Sequence, residues 1–318
     1  MNSRFGALVA QPVALVLISI APLLLPSLRP LLLVAMSIAL CAIGLLILLR
    51  AGQVSFGHAL YFAIGAYVVA FGSRAGGLDL WVLLGLALVC SVAAGALLGT
   101  ILVRYRGIFY GMLNLAFSML GYTVFLRAYS YTGGSDGIRV VPPPMLGFSL
   151  DAYEFGWGLY YCAVALLALV FWMVHRYLHS PLGAALGAVK TNEVRLEYLG
   201  ISAYRVMFVA HVSAAGLAGL GGGLVALSTG HVTPDLAYWS LSAEFVFVAV
   251  LGGTANVVGA LIGAVSFELI RSYASIYAGN AWQLILGTVL VFVVLFAPQG
   301  LWGVVQRVLP ARAKEERL

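Results

Sequence analysis

The residues that could do chemistry are few and widely spaced. Gln53, Ser55 and His58 stand together in GQVSFGHALYFAIGAY at 52–67, interleaved with Gly52, Gly57 and Gly65. A hydroxyl, an amide and an imidazole at the start of an apolar stretch could bind a polar group, and the glycines allow a second backbone or a ligand to come close. Asn114 is a further isolated amide, and Glu244 is a lone carboxylate inside an apolar run. Such an intramembrane acid could steer a cation or lock helix ends by hydrogen bonding; Glu268, near the end of its run, is expected in solvent. No HExxH, GxSxG, CxxCH or pair of aspartates within a span occurs, so neither metal-assisted hydrolysis nor nucleophilic catalysis is indicated. GAALGAVKT at 183–191 lacks the adjacent Gly-Lys of a phosphate-binding loop, and no strand precedes it. Cys41, Cys90 and Cys162 lie in apolar runs with no paired spacing, which indicates neither a disulfide framework nor a metal site.

The elements that must carry these residues follow from composition. The 318-residue chain is 63% hydrophobic and only 9% charged, whereas a soluble domain carries about 25% charged residues. That excludes a soluble enzyme, a disordered tail and a secreted disulfide scaffold. The net charge of +6 does not point to nucleic acid, because the basic residues are scattered between apolar spans and form no patch. Runs free of Asp, Glu, Lys and Arg cover 5–28, 30–49, 51–73, 80–103, 107–126, 155–174, 206–234, 245–267 and 272–306. Each is long enough for a helix of about 20 residues to cross the hydrocarbon core, and helices satisfy their own backbone in lipid. The first run reads as a retained helix, not a removed signal peptide. Gly252-Gly253-Thr254-Ala255-Asn256 interrupts the region near 250, which splits into helices at 241–252 and 257–273, followed by another at about 282–304. The fold class is therefore an all-α polytopic membrane protein with about ten transmembrane helices in one domain over 1–318.

Orientation follows from the cations. With the N-terminus in the cytoplasm, Arg4, Arg50, Arg104, Arg106, Arg176, Lys190, Arg195, Arg205, Arg307, Arg312, Lys314 and Arg317 fall inside. Arg29, Arg74, Arg127, Arg139 and Arg271 fall outside. The excess of inner cations is the positive-inside pattern, and it leaves both termini cytoplasmic. Two connections are long: an outer loop at 127–155, with Gly133, Gly134 and Asp136 in TGGSDG, and an inner segment at 176–205. The inner one reads as one amphipathic helix, with Ala185, Val189, Leu196 and Leu199 on its apolar side and Gly200 ending it. Glycines four apart (Gly219 and Gly223, Gly95 and Gly99, Gly107 and Gly111, Gly259 and Gly263) predict close helix packing.

Several blocks resemble branched-chain amino-acid ABC transporter permeases. They are GQVSFGHALYFAIGAY, RYRGIFYGMLNLAFSML at 104–120, TGGSDGI at 132–138, SPLGAALGAVKTNEVRLEYLGI at 180–201 and SAAGLAGLGGGLVALSTGHVTPD at 213–235. SAEFVFVAVLGGTANVVGALIGA at 242–264 and WQLILGTVLVFVVLFAPQGLWG at 282–303 complete the series. TGGSDG resembles the LivM type more than its LivH-type partner. The resemblance implies a type II-importer-like permease in the inner membrane, paired with a LivH-type permease. It implies two cytoplasmic ABC ATPases that hold ATP and magnesium, so this chain needs no cofactor, and an extracytoplasmic binding protein that delivers leucine, isoleucine or valine. Segment 180–201 aligns with the family's ATPase-docking loop, with Gly183, Lys190, Asn192, Glu193, Glu197 and Gly200 as docking residues. Ser55, His58, Asn114 and Glu244 are nominated for the pathway. Gly57, Gly65, Gly133, Gly134, Asp136, Gly219, Gly223, Gly252 and Gly253 are nominated for packing or gating. The docking loop departs from the family at Ala184 and Gly187, where Arg is frequent, and Val257-Val258-Gly259 stands where Trp-Gly-Pro is frequent. Related permeases move urea or short amides, which is the alternative substrate class; a stand-alone ion-coupled carrier is the alternative in kind.

Overall fold

The computed structural model describes residues 2–253, 256–297 and 299–308. Thr254 and Ala255 of the expected break, Pro298, and the basic residues Arg312, Lys314 and Arg317 lie outside the described residues. The helices in chain order are α1 (Asn2–Leu24), α2 (Arg29–Arg50), α3 (His58–Ala75), α4 (Leu80–Leu102), α5 (Gly107–Arg127), α6 (Tyr129–Thr132) and α7 (Ala152–Leu178). They continue with α8 (Pro181–Thr191), α9 (Glu193–Tyr198), α10 (Ala203–Thr229), α11 (Trp239–Gly252), α12 (Val257–Ala278), α13 (Trp282–Phe296) and α14 (Gly300–Val308). A two-residue antiparallel ladder pairs β1 (Ile138–Arg139) with β2 (His231–Val232).

Each expected span contains a helix, although the run at 51–73 is helical only from His58. Among the described residues, six are long and apolar enough to cross a bilayer, namely α2, α4, α5, α7, α10 and α12; α1, α11 and α13 carry shorter apolar stretches. Helix α3 holds His58, Ser73 and Arg74 near its ends, yet is buried over most of its length. These helices make the protein a multi-pass membrane protein. Its flanks bear it out: Leu97, Ile108, Phe109, Met112 and Leu120 lie more than 60% exposed along α4 and α5. So large an apolar surface is unstable in water and stable against lipid or another apolar partner.

The core is built around α10, which packs on α2, α3 and α4. Helix α2 is buried almost without interruption from Leu32 to Leu48, as a helix apolar on all sides must be. Small residues on α10 set the spacing: a Cβ on Gly222 would run into the Phe62 carbonyl, and one on Gly65 into the backbone of Gly219. Helix starts are fixed by side chains that accept the free N–H groups of the first turn. Asp79, Ser180, Asn192, Ser202 and Asn256 each accept from the backbone two or three residues on.

The chain departs from expectation at 180–201 and within 282–304, and agrees with it at Gly252-Gly253. The segment 180–201 is two helices, because Asn192 turns extended (φ −161°, ψ 96°) and caps α9 through Arg195 N–H. Leu199 is exposed, so the buried side of this segment is Ala185, Leu186, Val189 and Leu196. The last expected helix ends at Phe296 and restarts as α14 at Gly300. The Gly252-Gly253 interruption falls where α11 ends, with Gly253 at φ +91°.

Candidate functional site

Before α3 the chain runs irregularly from Ala51 to Gly57 and lies along the first turns of α5. The Gln53 Oε1 accepts the Gly107 N–H at 2.7 Å. Gly111 faces the Val54 carbonyl, and Gly57 sits against the backbone of Asn114, where any Cβ would collide. Between segment and helix lies a groove of about 480 Å³ lined by Gly52, Val54, Phe56, Gly107, Ile108, Gly111, Met112 and Leu115. Its walls are apolar, as suits an aliphatic side chain.

Behind this wall is a buried polar cluster. His58 Nδ1 and Ser55 Oγ are 2.8 Å apart. The His211 imidazole is bonded at both nitrogens, Nε2 to the Tyr61 hydroxyl at 2.9 Å and Nδ1 to the Tyr110 hydroxyl at 2.7 Å. The two imidazoles meet edge to face, with ring centres 6.0 Å apart. Asn114 Nδ2 donates to the Tyr110 carbonyl at 2.8 Å, and Ser91 Oγ donates to the Tyr61 carbonyl at 3.1 Å. A neutral imidazole donates from one nitrogen and accepts at the other, so one phenol donates a hydrogen bond to His211 and the other accepts one. The cluster ties α3, α5 and α10 together. Of the nominated pathway residues, Ser55, His58 and Asn114 are thus gathered here, each enclosed by the chain's own atoms. Sequence reasoning passed over Tyr61, Tyr110 and His211; His211 opens the glycine-rich run at 211–223, where only packing was expected.

At the end of the bundle that carries α8 and α9, Gly183 lies against the Tyr177 and Leu178 carbonyls, which leaves no space for a Cβ. Lys190, Asn192, Glu197 and Gly200 are exposed, and Gly200 (φ +79°) makes the left-handed turn out of α9. Glu193 is half-buried and paired with Arg106, whose Nη2 and Nε reach its two carboxylate oxygens at 2.7 and 3.1 Å. Val194, Tyr198 and Leu199 are exposed, and a groove of about 300 Å³ runs between α8 and α9, lined by Ala188, Thr191, Asn192, Arg195, Leu196 and Leu199. An exposed apolar patch at the polar end of a bundle is the kind of surface a protein partner covers.

The remaining nominated residues are dispersed. Gly133 (φ +70°) and Gly134 (φ +54°) shape the turn after α6, and the Tyr129 hydroxyl donates to Asp136 Oδ2 at 3.1 Å. Gly65, Gly219 and Gly223 lie in the α3–α4–α10 packing, and Gly252 sits against the backbone of Gly259. Glu244 does not stand alone. Arg271 Nη1 lies 3.3 Å from Glu244 and 3.4 Å from Glu268, with the guanidinium 5.5 Å from the centre of the Trp282 ring. Glu268 is buried, contrary to the expectation of a solvated residue, and its carboxylate is paired with Arg271 one turn later, which Glu244 on α11 shares. Removing Arg271 would leave two largely buried carboxylates without their shared cation. Arg271→Met is expected to destabilise the protein by about 2 kcal/mol, below the cost of breaking a fully buried pair because the guanidinium is partly exposed. Thermal unfolding in detergent checks this, and an unchanged midpoint would show that the cluster stabilises nothing.

The model of the family described as "branched-chain amino acid transport system / permease component" matches residues 27–295. The chain belongs to this family. It is 32% identical over 275 residues to the high-affinity branched-chain amino acid transport system permease protein LivM of Salmonella typhimurium, and 31% identical to LivM of Escherichia coli. Each alignment covers 79% of this chain and 64% of the relative, so the chain spans less than two thirds of the length of these LivM relatives. Similarity to LivH of Escherichia coli is lower, 25% over 272 residues, covering 79% of this chain and 86% of that relative. These values agree with the LivM-type resemblance of the TGGSDG loop. No solved structure matches. As a family member, the chain carries its groove, polar cluster and α8–α9 segment all within the matched span.

Proposed function

We propose that this chain is a permease subunit of an ATP-driven importer and forms part of the pathway for leucine, isoleucine and valine. Membership of the permease family, across the whole span that holds the groove and α8–α9, carries the reading. The chain crosses the inner membrane ten times in the manner of type II importers, with both termini in the cytoplasm. It pairs with a second, LivH-like permease. Two ABC ATPases dock on α8–α9 from the cytoplasm and hydrolyse ATP there; this chain performs no covalent chemistry. A binding protein delivers substrate on the side of the β1–β2 ladder. The apolar groove beside α5 suits a branched side chain, and Ser55, His58 and Asn114 supply polar groups one layer behind it. Glu244, held by Arg271, locks helix ends and does not capture the substrate ammonium.

The exposed Val194, Tyr198 and Leu199 support docking at α9, because a solvent-facing loop has no use for three large apolar side chains together. The reading is tested by reconstituting the chain in liposomes with a LivH-like permease, two ABC ATPases and a binding protein from the same organism. ATP-dependent accumulation of labelled leucine is the expected result. Uptake by this chain alone, without ATP, would replace the reading with a stand-alone carrier, and ATP-dependent uptake of urea or short amides without leucine would replace the substrate.

A further inference from the structure

The α8–α9 segment is fastened to the groove at two points. The first is the two-pronged pair between Arg106 and Glu193, which are 87 residues apart in sequence. The guanidinium is held on its other side as well: Nη1 donates to the Tyr105 carbonyl at 3.1 Å and to the Val103 carbonyl. Arg106 is thereby oriented by its own loop before it meets the carboxylate. Planar, two-pronged pairs of this kind are the strong class of charge-assisted hydrogen bond, unlike most pairs near a surface. The second point is the aliphatic stem of Lys190, which lies against Gly52; a Cβ at Gly52 would stand 3.1 Å from Lys190 Cγ.

Both fastenings end on groove walls. Arg106 stands at the N-cap position of α5 and is followed by Gly107, whose N–H is held by Gln53. Gly52 and Gly107 themselves line the groove. A displacement of α9 therefore pulls on the start of α5, and a displacement of α8 presses on the segment that leads to Ser55 and His58. Coupling travels through contiguous packed and hydrogen-bonded groups of this kind when both ends act on one movable element.

We infer that Arg106 is a positioning residue, which through Glu193 makes α8–α9 and the α5 wall of the groove move as one body. This rests on the reading of α8–α9 as the ATPase dock. The residue touches neither substrate nor nucleotide, so its loss should separate ATP hydrolysis from transport and leave ATPase binding in place.

The test uses the complete transporter in proteoliposomes and reads labelled leucine taken up per ATP hydrolysed. In Arg106→Gln this ratio is expected to fall at least about five-fold, the lower end of ordinary coupling between sites, while the ATPases still co-purify. Arg106→Lys, which keeps a donor cation and leaves Glu193 untouched, is expected to retain more of the ratio than Arg106→Gln, which a general folding defect would not do. A wild-type ratio in Arg106→Gln overturns the inference. So does a ratio in Arg106→Lys no higher than in Arg106→Gln, because the cation facing Glu193 would then carry nothing. The dock is tested apart from this, by cross-linking from Tyr198→Cys to the ATPases. No cross-link removes the docking reading itself; a cross-link together with an unchanged ratio in Arg106→Gln removes only the coupling role.

Discussion

Gly65→Val is expected to destabilise the protein by about 3 kcal/mol, the upper range for forcing extra atoms into a packed interior. Position 65 lies where α3 crosses α10, and a Cβ there would fall onto the Gly219 carbonyl and Cα. The obstacle is backbone, so no rotamer change relieves it and the two helices must separate. Separation is expensive here because Gly222 rests on the Phe62 carbonyl at the same crossing, and Gly221 of α10 rests on the Ser37 carbonyl of α2. In lipid, helices gain nothing from hiding apolar surface from water, and close contact between small residues is the main source of adhesion. Losing it at one crossing loosens α2, α3 and α10 together. Gly85→Val is the control, since nothing lies within 4 Å of a Cβ built there and the site is exposed on α4. Thermal unfolding in detergent should separate the two by a wide margin, and equal midpoints would mean that α3 and α10 are not locked at Gly65.

The spans were legible because lipid imposes a simple rule: a charge-free run of sufficient length must satisfy its backbone as a helix. The interruption at Gly252-Gly253 was legible for a related reason, since Gly253 takes a positive φ that ends a helix cheaply only at glycine. Local chemistry was underread at Asn192, whose side chain favours a cap over a helix interior; it divides α8 from α9. Pairings across the chain left no local trace. Arg106 and Glu193 looked like two separate inner charges, and Glu268 looked solvated because its partners come from α11 and from the next turn of α12. The polar cluster was half legible. Ser55 and His58 stand in one conspicuous string, but His211 reaches Tyr61 across 150 residues and Tyr110 across 101. Only the folded chain brings a histidine from a glycine-rich packing helix between two tyrosines.

That cluster gives the second large effect. His211→Leu is expected to cost about 2 kcal/mol, because both the Tyr61 and Tyr110 hydroxyls, fully enclosed, lose their hydrogen-bond partner at once. Burying an unpaired hydroxyl is worse than burying none. The triple variant Tyr61→Phe, Tyr110→Phe, His211→Leu removes donors and acceptors together, and it should be more stable than His211→Leu alone. That inversion, in which two further substitutions restore stability, separates a hydrogen-bond effect from a packing effect. If the loss came from the missing imidazole volume, the triple variant would be no better than the single one. The consequence for transport follows from where the tyrosines sit: Tyr110 belongs to α5, the helix that forms one wall of the groove, and Tyr61 to α3 behind it. Freed of His211, α5 keeps its contacts with Gly57 and Val54 but loses its tie to α10. Uptake by the reconstituted transporter should then fall in His211→Leu even at temperatures where the protein remains folded. It should stay low in the triple variant, whose stability returns but whose α5–α10 tie does not.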